Sequence, residues 1–135
     1  QGHTGPFIQY TYARIGSLLR KSEHPSLASS QSTGDMHGQL TTTNYVLLPE
    51  ERAVVKLLHQ FPAVLNEAAT RLDPSALANH TYELVKVYNG FYQSVPVLKE
   101  EDTAKRVFRL ALSGTVAAAV KKAMWCLGIE VPERM

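Results

Sequence analysis

Apolar side chains recur three and four residues apart along most of the chain, the period of helices with one buried face. Over residues 7–21 the row is Ile8, Tyr12, Ile15, Leu18 and Leu19. Pro6 suits the first turn of this helix, while Arg20 and Lys21 suit the negative end of its dipole. A second helix is predicted from near Pro49, with Glu50 and Glu51 in its first turn and Val54, Val55, Leu57 and Leu58 inward. Phe61-Pro62 should interrupt it, because proline lacks the amide hydrogen and collides with the carbonyl four residues back. A third helix then covers 63–72, with Val64, Leu65, Ala68 and Leu72 inward. Asp73-Pro74 pairs a capping side chain with a first-turn proline and starts a fourth helix, to about residue 94. Beyond a connector at 95–98, the acids Glu100, Glu101 and Asp102 precede a fifth, alanine-rich helix over 103–127, with Gly128 as its cap. No useful length of strand alternation appears. The expected fold is all-α: one domain over 1–135, a bundle of about five helices. Residues 22–44 break the pattern with Ser, Thr, Gln, Gly and His, and read as a long flexible loop.

The composition supports a packed core: 44% of residues are hydrophobic and 19% charged. No apolar run approaches the ~20 residues of a bilayer-spanning helix. A net charge of +2 is too small to hold a nucleic acid by charge alone, so an RNA partner would need base stacking and shape as well. The local excess at Arg14, Arg20 and Lys21 is the exception. The single cysteine, Cys126, lies in an apolar stretch and is expected to be buried, reduced and intracellular. The polar, Gly-rich opening has no signal-peptide character, and with Gln rather than Met in first place it reads as the start of a trimmed piece.

Catalytic and metal chemistry find little support. The histidines His3, His24, His37, His59 and His80 show no ligand spacing, and no metal site is predicted. No nucleophile elbow, phosphate loop or dinucleotide motif is present, and capping accounts for most of the carboxylates. The first helix offers more. Phe7, Tyr10 and Arg14 follow one another at three and four residues, so they share a face. Aromatic rings stack on an unpaired RNA base, and a guanidinium reads its edge or holds its phosphate. Spacing alone leaves the alternative open that Phe7 and Tyr10 are core and Arg14 is ordinary surface.

Three segments carry a family resemblance. TGPFIQYTYARIGSLLRKS (4–22) is similar to the opening of the anticodon-binding domain of arginyl-tRNA synthetases. YELVKVYNGFYQSVPVL (82–98) resembles that domain's aromatic helix, with its Asn-x-Phe-Tyr step at Asn89, Phe91 and Tyr92. LGIEVPERM (127–135) resembles the family's Met-ended tail, and Arg109 to Leu112 matches its Arg-Leu-x-Leu pattern. The Asp-Ala-Leu-Arg motif that names this domain type is absent as such.

The resemblance implies that the parent enzyme joins arginine to its tRNA with ATP and Mg²⁺. Its class I signature motifs are missing here, so this piece should be inactive alone and need no cofactor. Every arginine anticodon has C in the middle, so one cytosine pocket serves all of them. In the family that pocket lies between the first helix and the tail. Carried over by motif, its lining is Phe7, Tyr10 and Arg14, closed by Met135. Tyr10 would stack on the base, Arg14 would donate to its O2 or N3, and the tail would accept from its amino group. Phe7 stands where tyrosine is also common and lacks the hydroxyl. Arg20, Lys21, Lys121 and Lys122 are candidates for phosphate contacts, with solvated helix faces as the alternative for the last two and for Arg106. Tyr88, Phe91 and Tyr92 are expected in the core, and Trp125 in the core or facing the catalytic domain. Expected partners are tRNA(Arg) and the enzyme's own catalytic domain, with no membrane, in a cytoplasmic monomer. The competing readings are the related domain of another class I synthetase, such as cysteinyl, and a helical interaction domain without RNA contact.

Overall fold

The computed structural model describes residues 4–23 and 45–135. Within them lie four helices and no strand: α1 (Thr4–Ser22), α2 (Pro49–Arg71), α3 (Pro74–Ser94) and α4 (Thr103–Cys126). The all-α expectation holds, with four helices rather than five. Residues 24–44, most of the expected loop, lie outside the described residues.

The difference in helix number comes from Pro62, which sits inside α2 without ending it. The lost backbone bond is offset by packing on both sides of the proline. Val54 is fully buried, Leu57, Leu58 and Phe61 pack against the main core, and Ala68 is buried in a smaller cluster with Leu77 and Ala123. His80 also places Nε2 2.9 Å from the Leu57 carbonyl, in the turn that the proline disturbs. An isolated helix would lose ~3 kcal/mol to such a proline; burial of this face outweighs that.

The other ends follow the sequence more closely. Leu72, expected inward, is instead 87% exposed, because it closes α2 in the left-handed region at φ 53°, its N–H reaching the Ala68 and Ala69 carbonyls. Asp73 caps α3 by accepting from the Ser75 backbone N–H at 3.0 Å. Asp102 caps α4 by accepting from the Ala104 N–H at 3.0 Å. Gly128, at φ 77°, ends α4, and the following Ile129 N–H returns to the Met124 carbonyl at 2.8 Å.

The core lies between α1, α3 and α4, with α2 folded back along α3. Ile8, Ile15 and Leu18 of α1 meet Leu84, Tyr88 and Phe91 of α3 and Val116, Val120 and Met124 of α4. Tyr88 and Phe91 are buried as expected; Tyr92 is only half-buried. Two further expectations are corrected. Cys126 is exposed, because it sits where α4 passes an open apolar groove between the end of α2 and the start of α3. Trp125 is 74% exposed, so it is not core.

Two carboxylates that looked like simple helix-start acids also have a second task. Glu51 accepts from the Leu48 N–H, but it is fully buried and lies 3.7 Å from Arg109 Nη2. Glu100 accepts from Arg109 Nη1 at 2.7 Å. Arg109 also donates to the Pro96 carbonyl at 2.8 Å, which ties the 95–98 connector to α4. Tyr45 donates to Glu51 at 2.6 Å and packs on Phe108, which joins the start of the 45–48 segment to this ionic knot.

Candidate nucleic-acid interface

The outward face of α1, the C-terminal half of α3 and the C-terminal tail enclose a cavity of about 520 Å³. That size is typical of a ligand site. Tyr10, Arg14, Ser17 and Lys21 come from α1, Tyr92 from α3, and Arg134 and Met135 from the tail. Arg20 also borders it. Four side chains of the lining are cationic and none is a carboxylate, so the cavity favours an anionic or acceptor-rich occupant.

Helical spacing explains the α1 contribution. Tyr10, Arg14, Ser17 and Lys21 follow at intervals of four, three and four, on the side opposite the deepest core positions. Tyr10 is 49% exposed, which leaves ring surface open to a planar ligand. The Arg14 guanidinium carbon lies 5.0 Å from the Tyr10 ring centroid and 4.8 Å from that of Tyr92. A cation held over two aromatic faces gains quadrupole attraction while keeping donors free. Arg14 Nη1 donates to Asn89 Oδ1 at 2.6 Å.

The tail is held along α1 by its backbone carbonyls. Gln9 Nε2 donates to the Glu130 carbonyl at 3.0 Å, and Arg20 Nη1 to that of Glu133 at 3.4 Å. Gly16 makes room between these points: a Cβ there would stand 3.3 Å from the Glu133 carbonyl oxygen. The half-buried Val131 adds an apolar anchor in the core. Met135 thereby reaches the cavity while remaining 69% exposed.

Tyr10, Arg14 and Met135 therefore meet at one cavity, with Arg20 and Lys21 beside them. Phe7 does not line it. Its ring packs edge-on against Tyr82, 5.9 Å between centroids, and stiffens the start of α1 against α3. Lys121 and Lys122 are exposed on α4 and do not line the cavity either. Arg106 donates to the Glu100 carbonyl at 3.2 Å. The residues that helical spacing missed are Tyr92, Asn89 and Arg134. The Asn-x-Phe-Tyr step was the available signal for the first two, but it cannot tell which of its side chains point inward.

Comparison with known proteins identifies the family of this domain. The family model described as "DALR anticodon binding domain" matches residues 8–135. The arginine–tRNA ligase of Flavobacterium psychrophilum is 46% identical over 134 residues, 99% of this chain and 20% of that protein. That of Phocaeicola vulgatus is also 46% identical, over 99% of this chain and 21% of its own length. The chain thus spans about a fifth of the length of these curated relatives. Among solved structures, the Thermus thermophilus arginyl-tRNA synthetase superimposes with a TM-score of 0.77 at 28% identity, covering 97% of this chain and 21% of that one. With the family model running from the first helix through the tail that closes the cavity, the chain belongs to the DALR anticodon binding domain family.

Proposed function

We propose that this chain is the anticodon-recognition module of an arginyl-tRNA synthetase and that its cavity holds the middle cytosine of the anticodon of tRNA(Arg). The observation that carries this reading is the meeting of Tyr10, Arg14, Tyr92 and Met135, drawn from two helices and the tail, around a space that no acidic side chain lines among the described residues. The open face of Tyr10 stacks on the base. Arg14, which can only donate, matches the O2 and N3 acceptors of cytosine. The tail backbone accepts from its amino group. Guanine would bring a larger ring and a donor at N1, which meets the guanidinium donor to donor.

Arg20 and Lys21 stand at the rim, where they neutralise phosphates of the same loop. Lys121 and Lys122, on α4 away from this rim, are assigned no more than a long-range attraction. Phe7 supports the first turn of α1 rather than touching the base. Ligation of arginine with ATP and Mg²⁺ falls to the rest of such an enzyme, whose catalytic domain is this module's second partner, in a cytoplasmic monomer.

The test is binding of two tRNA(Arg) transcripts, with C or G in the middle of the anticodon, to wild-type chain and to Arg14→Ala. A preference for C worth ~1–3 kcal/mol, the scale of one base-edge contact, is expected in the wild type and lost in the variant. Equal binding of both transcripts by the wild type would leave only a basic surface, and would favour an interaction domain over an anticodon reader.

A further inference from the structure

We propose that Asn89 is the positioning residue of this site: it fixes the Arg14 guanidinium so that its remaining donors face the cavity. The inference rests on the reading of Arg14 as the group that contacts the base. It adds a residue that lies beneath the cavity rather than in its lining.

Asn89 is 8% exposed, and every polar atom of its side chain is engaged. Oδ1 accepts from Arg14 Nη1 at 2.6 Å. Nδ2 donates to Thr11 Oγ1 at 2.8 Å and to the Val85 carbonyl at 2.9 Å. These two acceptors settle which way the amide points. A flipped amide would set its oxygen against the Val85 carbonyl oxygen and its NH₂ against the guanidinium, two mismatches at once. Thr11 is fully buried and donates its own proton to the Phe7 carbonyl at 2.9 Å, so its oxygen is left to accept from Asn89. A directed chain of hydrogen bonds thus runs from the backbone of α1 through Thr11 and Asn89 to Arg14.

Arginine has a long, rotamer-rich side chain, and ordering it on binding consumes affinity. Here the ordering is done in the free protein. Tyr10 and Tyr92 hold the guanidinium carbon over their rings. Neither tyrosine fixes its rotation about the remaining axis, because cation–π attraction is broad; the contact from Arg14 Nη2 to the Tyr10 hydroxyl is long, at 3.5 Å. The short bond to Asn89 does fix it. With one Nη1 hydrogen committed, up to four of the five guanidinium donors remain for a ligand.

Two variants separate positioning from simple cohesion. Asn89→Ala removes every bond of the amide. Asn89→Asp keeps the oxygen acceptor for Arg14 and removes both Nδ2 donations, the one that stitches α3 to Thr11 of α1 and the one within α3 to the Val85 carbonyl. Each is compared with wild type and Arg14→Ala in two readouts: the affinity ratio for transcripts with C and G in the middle of the anticodon, and the ¹⁵N signals of the Arg14 guanidinium in the RNA-free chain. Thermal melting confirms that each variant is folded at the assay temperature.

In Asn89→Ala the ratio is expected to fall about tenfold, the worth of one charge-assisted hydrogen bond. Its Arg14 Nη signals should average through free rotation. Asn89→Asp should keep the restricted signals and most of the ratio. Should Asn89→Asp fail like Asn89→Ala in both readouts, the residue is a stitch between helices and the proposal is overturned. A ratio unchanged in Asn89→Ala but lost in Arg14→Ala would overturn it too, while leaving the base-reading role of Arg14 intact. A ratio insensitive even to Arg14→Ala would sink the functional reading itself. Freely averaging Arg14 signals in wild type would refute the positioning independently of any RNA.

Discussion

Arg109→Met offers the sharpest test of how the fold is held. Arg109 is 2% exposed and makes three contacts, with Glu100, the Pro96 carbonyl and, at 3.7 Å, the fully buried Glu51. Methionine keeps most of the side-chain length but none of the charge. Glu51 would then keep only the Tyr45 hydroxyl and the Leu48 N–H as partners. Burial, and next the bond to Glu51, push the Tyr45 hydroxyl up to about 12, so it stays a neutral donor and cannot replace the lost cation. Stranding one member of a buried ion pair costs ~3–5 kcal/mol. A domain of this size has roughly 5–15 kcal/mol in all, so the midpoint of thermal unfolding should drop by roughly 10–20 °C. Circular dichroism melts and urea unfolding measure it. The companion variant Glu51→Leu/Arg109→Met removes both charges and should recover most of the loss, because apolar replacement of a whole buried pair is often neutral or better. The Nε of Arg109, buried without a partner among the described residues, is a further reason to expect recovery. A loss below ~1 kcal/mol in the single variant, or a double variant weaker than the single, would refute an account resting on stranded charge.

Gly16→Val should push the tail from α1, since even a Cβ would stand 3.3 Å from the Glu133 carbonyl oxygen. Affinity for the cognate transcript should fall, while stability changes by less than about 1 kcal/mol, because the tail's lost hydrogen bonds are exposed and valine suits a helix slightly better than glycine. Amide chemical shifts should change mainly at 129–135 and along α1; an unmoved tail would contradict this. For pH, bonds from the Asp102 backbone and then from Arg109 hold the Glu100 carboxyl below its ordinary range. A carboxyl lower in the folded state stabilises fully above its unfolded value, near 4.5, and loses that contribution as pH falls through the depressed one. Melting temperature should therefore decline with acidification below about pH 4.5, and Glu100→Gln should flatten the part of the decline due to this group. An identical slope in the variant would count against the Glu100–Arg109 bond.

What the sequence made legible were local devices whose physics involves only a few residues. Asp73-Pro74 and Gly128 predict helix ends because a cap and a left-handed glycine act on adjacent backbone. The period of Ile8, Ile15 and Leu18 predicts a buried face for the same reason. Pro62 misled because its cost is local, whereas the burial of Val54, Phe61 and Ala68 that overrides it comes from α3 and the core. Glu51 is a good first-turn acid by spacing, yet its burial depends on Arg109, 58 positions away in the chain. Cys126 and Trp125 look apolar in sequence, but whether a helix end is covered depends on where its neighbours stop. At the site, the α1 row is legible because one helix carries it. The family likeness brought in the tail and the Asn-x-Phe-Tyr step, but the inward turn of Phe91 and the outward turn of Tyr92 follow only from how α3 sits against α1.

The most direct test of the anticodon reading is to titrate ¹⁵N- and ¹³C-labelled chain with a tRNA(Arg) anticodon stem-loop and follow the Arg14 guanidinium, the Tyr10 and Tyr92 rings and the Met135 methyl. The account predicts that a loop with C in the middle shifts all four together, and that a loop with G there leaves Arg14 nearly unmoved. Perturbations centred instead on Trp125 and the groove beside Cys126, with the four probes silent, would contradict it.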